Sequence, residues 1–295
     1  MRKVTEGSIP FMDYRTHYRI VGDLKAGRAP LVCLHGGPGS TRAYFELLDA
    51  LADDGRAVIS YDQLGCGESY LEGHPELWCA QTWLSELENL IDSLGLGEYH
   101  LLGQSWGGMM AIQYAVERRP CRCRSIVISS GHPSSRLWSD EGWRMARELP
   151  EDEYEALVRA SESGDYDDEG YRRTIAHYMQ LHCADQVPSD DAPECLRRPS
   201  RKGAESYLVA WGPDELTPTG TLRDWEYRDR LGEVDLPTLI VSGTSDLCTP
   251  LVAKTMFDGI PHARWELMAN CRHMCFADDN PRYLELVGAW LSEHD

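Results

Sequence analysis

Gly103-Gln-Ser-Trp-Gly-Gly108 sets one hydroxyl between two glycines at G-x-S-x-G spacing. The apolar run Tyr99-His-Leu-Leu102 precedes it, and a helix-forming stretch, Met109–Val116, follows. A strand that turns sharply into a helix through this pattern carries its serine at the tip of a nucleophile elbow. The tip is strained, so the residues two before and two after the serine must be nearly free of side chain for strand and helix to approach. Gly103 and Gly107 meet that need. Because the turn opens a helix, the Trp106 N–H points outward with the positive end of the helix dipole behind it. It supplies one half of an oxyanion hole. A serine in a glycine-rich turn can be purely structural, and the flanking strand and helix are what favour the chemical reading.

Ser105 alone is a weak nucleophile and needs a base, and the base needs a group to orient it. In this architecture the chain order is Ser, then Asp or Glu, then His. Ten histidines compete. His273, in Asn270-Cys-Arg-His273, follows the last apolar strand on the carboxyl edge that also carries the elbow. His262 precedes that strand and falls on the opposite edge, while His294 lies near the terminus. Asp246 stands three residues past Gly243 on the same carboxyl edge, whereas Asp235 precedes its strand. These positions assign Ser105 as nucleophile, His273 as base and then acid, and Asp246 as the group that fixes the imidazole tautomer. The second oxyanion donor is expected from the glycine-rich loop after Leu31–Leu34, His35-Gly-Gly-Pro-Gly39. Gly36 and Gly37 both fit, and Gly37 is preferred.

Residues 8–21 alternate loosely around Ile9, Phe11, Tyr14, Tyr18 and Ile20, as half-buried antiparallel strands do. Leu31–Leu34, Ala57–Tyr61, the elbow strand and Ser125–Ser129 are short continuous apolar runs, the mark of strands buried on both faces. Helices are expected over 41–53, over Trp83–Leu94 with its apolar face, and after the elbow. Strands alternating with helices define an α/β fold with a mostly parallel sheet and helices on both faces. From His132 to about Arg230 the rhythm breaks into helical patterns between acidic or proline-rich connectors. It resumes at Pro237–Gly243 and Ala263–Met268, with a last helix at Arg282–Leu291. Residues 1–131 and 231–295 therefore form the core, and 132–230 a helical lid over the strands' carboxyl ends, where open α/β sheets bind ligands. Trp138, Trp143, Tyr207 and Trp211 are expected to wall an apolar pocket above Ser105. The acidic stretches Glu151–Glu155 and Asp165–Glu169 read as the solvated face of the lid.

A net charge of −19 over 295 residues argues against nucleic acid and anionic membrane surfaces as partners. With 42% hydrophobic residues but no apolar run of membrane-spanning length, the chain can build a core without crossing a bilayer. The first residues lack the apolar stretch of a signal peptide, so a cytoplasmic location is expected. Ten cysteines without disulfide-scaffold or zinc-ribbon spacing are expected to be free thiols. Neither metal nor cofactor is expected.

Four motifs together carry a family resemblance: His35-Gly-Gly-Pro-Gly39, Asp62-Gln-Leu-Gly-Cys-Gly-Glu-Ser69, Gly103–Gly108 and Gly243-x-x-Asp246-x-x-Thr-Pro250. The chain resembles the prolyl iminopeptidases of the α/β-hydrolase fold, above all the tricorn-interacting aminopeptidases and L-amino-acid amidases. The resemblance spans nearly the whole chain and includes the lid segment Trp211-Gly-Pro-Asp-Glu-Leu-Thr-Pro-Thr-Gly220. It implies that Glu215 binds the substrate's free α-amino group with help from Tyr207. The residues agree, since a carboxylate among Tyr207, Trp211 and Leu216 is costly to bury until a cation arrives. The chain departs from the resemblance at Leu247, where the tricorn-interacting enzymes carry an acidic residue as a second ammonium partner. That leaves room for amino-acid amides or esters beside longer peptides.

The expected activity is acyl transfer through an acyl-Ser105 intermediate, releasing an N-terminal residue, proline preferred, from a small peptide or an amino-acid amide. Gly36 and Trp211 are expected to line the substrate site. The rivals are an esterase, lactonase or other tailoring hydrolase with the same triad, and a small-molecule receptor with a vestigial one. Epoxide hydrolases and dehalogenases of this fold place Asp at the elbow, and Ser105 disfavours them. The oligomeric state is not legible.

Overall fold

Alternation along the central strands sorts their side chains into two cores. Val32 and Leu34 of β3 (Leu31–Leu34), Leu101 of β5 (Tyr99–Gln104), and Ile126 and Ile128 of β6 (Cys123–Ser129) face one core. Leu31, Cys33, Leu102 and Val127 face the other. That is the period-two geometry of strands covered on both sides. The computed structural model describes residues 2–295.

The eight strands lie in the order β1-β2-β4-β3-β5-β6-β7-β8. The outer hairpin of β1 (Val4–Phe11) and β2 (Tyr14–Val21) is antiparallel, and β2 runs antiparallel to β4 (Val58–Asp62). From β4 to β7 (Thr238–Gly243) and β8 (Ala263–Met268) every pairing is parallel. Helices α1 (Ala80–Ser93), α2 (Trp106–Arg118) and α8 (Pro250–Gly259) bury their apolar residues in the first core. Most of the second core is closed by α9 (Cys275–Asp278), α10 (Asn280–Glu293) and the turn-rich segment Arg42–Asp54. The expected helix over 41–53 proves to be of the 3-10 kind, and its buried residues show why. Phe45, Leu48 and Leu51 recur every third residue, which aligns them on one face at three residues per turn.

Between β6 and β7 the described chain makes five α-helices, α3 (Ser135–Ala146), α4 (Glu151–Ser163), α5 (Glu169–His182), α6 (Glu194–Arg197) and α7 (Ala204–Ala210), and then a short 3-10 turn at Arg228–Glu233. The two ends of this insertion are tied at one stem. Ser134 and Glu226 form an antiparallel bridge, and the Ser135 and Tyr227 N–H groups donate across it at 3.0 and 2.8 Å. Asp168 caps α5 by accepting from the Tyr171 N–H at 3.0 Å. No helix among the described residues is long and apolar enough to cross a membrane. All ten cysteines are free thiols.

Candidate active site

The elbow depends on two close approaches. A Cβ on Gly103 would lie 2.1 Å from the Gly107 carbonyl oxygen, and one on Gly107 would lie 2.0 Å from that of Leu34. Both distances are far inside contact, so neither position tolerates a side chain. Ser105 between them has φ 55° and ψ −119°, a left-handed backbone that costs a non-glycine residue roughly 1–3 kcal/mol. The turn is held by the Ser105 N–H on the Ser129 carbonyl at 2.9 Å. Ser105 is half-buried, and its neighbours are fully buried. Among the described residues its hydroxyl makes no hydrogen bond. Such open geometry is common before substrate binds.

Asp246 and His273 come from the loops after β7 and β8. His273 Nδ1 lies 2.7 Å from Asp246 Oδ1, with both residues buried. The carboxylate is an acceptor only, so Nδ1 carries the proton and Nε2 is left as the basic nitrogen. Three more donors hold the carboxylate. The Cys248 N–H donates to Oδ1 at 2.8 Å, while the Ser130 hydroxyl and the Gly243 N–H donate to Oδ2 at 2.6 and 3.1 Å. Ser130 follows β6, on the same edge, and sequence reasoning missed it. The insertion braces these loops through the end of α5. The His273 N–H donates to the His182 carbonyl at 2.9 Å, and His182 Nδ1 to the Ser245 carbonyl at 3.0 Å.

Trp106 contributes the first N–H of α2, which has no intrahelical acceptor. Gly37 has φ 112°, a conformation that favours glycine, and no hydrogen bond among the described residues uses its N–H. Gly36, the alternative donor, is corrected out of that role, because its N–H donates to the Tyr44 hydroxyl at 2.6 Å. Tyr44 in turn donates to Gln104 Oε1 at 2.9 Å. Gly36 still lines the site, for a Cβ on it would stand 3.0 Å from that of Ser105.

Glu215 is held from both ends. The indole N–H groups of Trp138 and Trp211 both donate to its carbonyl, at 3.1 and 3.3 Å, and the Tyr207 hydroxyl donates to Oε2 at 2.7 Å. Trp138 packs edge-on to the His273 ring at 5.8 Å, which sets this group beside the His273–Asp246 pair. Burial pushes the Glu215 carboxyl above its usual range, against the opposing pull of the Tyr207 hydrogen bond and the nearby His273. No lysine or arginine pairs with it among the described residues. Asp214, which sequence reasoning passed over, adds a buried carboxylate beside the half-buried Glu215. It accepts from the Tyr171 hydroxyl at 3.0 Å, and its Oδ2 has no partner among the described residues.

The rings that gather here are Trp138, Trp211 and Trp225 around His132, whose imidazole burial drives down to about 3. Trp143 differs from expectation. It packs on Tyr154 and donates to the Thr217 hydroxyl at 2.9 Å, so it braces the insertion's own interior. Leu247 is buried, and no acid stands there. His35, Asp62 and Cys66 bring possible ligand atoms within 4.8 Å of one another. They are tied into the surrounding loops instead: His35 Nε2 accepts from the Gln63 N–H, Asp62 accepts from the Arg42 and Glu68 N–H groups, and the Cys66 thiol donates to the Gln63 carbonyl.

A serine elbow at the carboxyl edge of such a sheet, with a His–Asp pair on the neighbouring loops, defines an α/β hydrolase. The family model for the alpha/beta hydrolase fold matches residues 29–280. A proline iminopeptidase of Clostridioides difficile (strain 630) is 50% identical over 293 residues, covering 99% of this chain and all of that one. The crystal structure of VinJ superposes with a TM-score of 0.90 at 34% identity, covering 99% of each chain. That of a Mycobacterium smegmatis proline iminopeptidase gives 0.86 at 31%, covering 98% of each. The chain belongs to the prolyl iminopeptidase family of α/β-hydrolases.

Proposed function

We propose that the protein is a serine aminopeptidase that releases N-terminal proline, and less readily other N-terminal residues, from small peptides and amino-acid amides. The observation that carries this reading is Glu215, a carboxylate with a tyrosine for partner and no cation among the described residues, near enough to His273 to feel its charge. The missing cation is the substrate's own ammonium or imino group. Helices 132–230 serve as a lid whose aromatic rings exclude water around the acyl group.

Ser105 Oγ attacks the carbonyl carbon next to that amino group, and His273 Nε2 takes the hydroxyl proton. Asp246 keeps the ring in the required tautomer and stabilises the imidazolium. The carbonyl oxygen, now negative, turns to the N–H groups of Gly37 and Trp106. Loss of one such donor typically slows an enzyme about 10²- to 10³-fold. Collapse breaks the C–N bond, and His273 returns its proton to the leaving amine. Water then repeats the sequence on the acyl-serine, freeing the amino acid and restoring Ser105.

Hydrolysis of prolyl, alanyl and leucyl p-nitroanilides by the wild type and by Ser105→Ala tests the reading. Prolyl turnover should lead, and the alanine variant should lose roughly six orders of magnitude in kcat. Fast hydrolysis of simple esters with none of the anilides would overturn it in favour of an esterase.

A further inference from the structure

The motif Asp62-Gln-Leu-Gly-Cys-Gly-Glu-Ser69 contributes no group to the reaction as described, yet its second residue touches both sides of the oxyanion hole. Gln63 is buried at the end of β4. Its side-chain Nε2 donates to the His35 carbonyl at 2.9 Å, and its Oε1 accepts from the Trp106 indole at 2.9 Å. Its backbone N–H donates to His35 Nε2 at 3.0 Å. That bond leaves the His35 proton on Nδ1, which donates to the Gly36 carbonyl at 2.9 Å.

The last contact sets a direction. The Gly36 carbonyl and the Gly37 N–H belong to one planar peptide, so anchoring the oxygen aims the N–H the opposite way. The other proposed donor is the Trp106 N–H, on the residue whose ring Gln63 holds. One amide thus ties the loop after β3 to the donor residue Trp106 itself, whereas Tyr44 joins the same loop to Gln104, ahead of the elbow serine.

We propose that Gln63 is a positioning residue that sets the spacing and aim of the two oxyanion donors. This rests on reading Gly37 and Trp106 as those donors. Oxyanion stabilisation is differential, because displaced donors weaken the tetrahedral state while leaving ground-state binding intact. The loss from misaligned donors should fall below that from a deleted one.

The test compares the wild type with Gln63→Met, which keeps the length and removes both polar ends, on prolyl p-nitroanilide. It also compares their affinities for proline, which binds without an adduct, and for the aldehyde of proline. The Ser105 oxygen adds to the aldehyde carbon, and the carbonyl oxygen becomes the group in the hole. In Gln63→Met, kcat should fall roughly 10- to 100-fold with KM within about twofold. Aldehyde affinity should fall by the same factor, and proline affinity should hold. Trp106→Phe removes the indole N–H together with part of a buried ring, so kcat should fall at least as far as in Gln63→Met, with the double variant little worse than Trp106→Phe. Gln63→Glu keeps the acceptor for Trp106 and should fall between. If Gln63→Met does not fold, these other variants carry the same test. Unchanged kcat, or a raised KM with aldehyde affinity intact, would overturn the inference while leaving the proposed function standing. A wild type that forms no aldehyde adduct would overturn both.

Discussion

Asp246 Oδ1 stands 2.7 Å from His273 Nδ1, although the two residues ride on separate loops 27 positions apart. The remaining lone pairs of Asp246 are taken by Ser130, Gly243 and Cys248. Three donors besides the histidine therefore hold the carboxylate in place. An ionised group this buried is tolerated because every face of it is hydrogen-bonded.

Replacing Asp246 with Asn should lower kcat about 10⁴-fold. An amide NH₂ turned toward His273 would force the ring proton onto Nε2 and leave no base. Turned the other way, it meets the Gly243 N–H. Steady-state kinetics alongside thermal unfolding would separate this from a folding defect, and a loss of less than about tenfold would refute the assignment.

Glu205 anchors the helix that carries Tyr207. Its carboxylate accepts from the Gly73 and His74 N–H groups at 2.6 and 3.0 Å and from the Trp78 indole at 2.7 Å. Glu205→Ala frees one end of α7. KM for free-amino substrates should rise roughly three- to tenfold, the worth of about one net hydrogen bond, with a smaller change in kcat. An unchanged KM would mean that the Gly203 N–H on the Gly39 carbonyl suffices to seat the helix.

Stability should depend on pH through Glu86. This fully buried acid of α1 accepts from the Thr16 hydroxyl and the Leu64 N–H, and burial lifts it from about 4.5 to about 8. Between those values the folded state keeps a proton that the unfolded chain has lost. Stability therefore falls as pH rises through this window and levels off above it. Glu86→Gln should flatten that part of the curve. Melting temperatures from pH 5 to 9 would show it, and an identical slope in both proteins would exclude Glu86 as the source.

The strands were legible because β3, β4, β5 and β7 are buried at every position, so their apolar runs stand out from the chain. Asp246 and His273 could be picked from their rivals by a rule of place, since residues just past a parallel strand's carboxyl end share one edge with the elbow. Ser130, Tyr44 and Gln63 were not legible. Each acts through a polar contact with a residue remote in sequence, such as the 116 positions between Ser130 and Asp246. Gly36 and Gly37 look alike in sequence, and only the Tyr44 hydroxyl tells them apart. Trp143 misled because an aromatic ring at helical spacing can face either the site or the insertion's own interior.

The measurement that bears most directly on the proposed function is kcat/KM for prolyl p-nitroanilide and its N-acetyl derivative, in the wild type and in Glu215→Gln. Truncating one side of a desolvated charge pair costs about 2–5 kcal/mol, or roughly 30- to 4000-fold. The loss should fall on the free-imino substrate and spare the acetylated one, which never made the contact. Because burial raises the Glu215 carboxyl, wild-type activity on the free substrate should fade as the pH drops and that group takes up its proton. The part of the acid-side loss that the acetylated substrate does not share should come at a higher pH than for an exposed glutamate, and Glu215→Gln should lack that part. Equal losses on both substrates would make Glu215 a structural residue and contradict the aminopeptidase account.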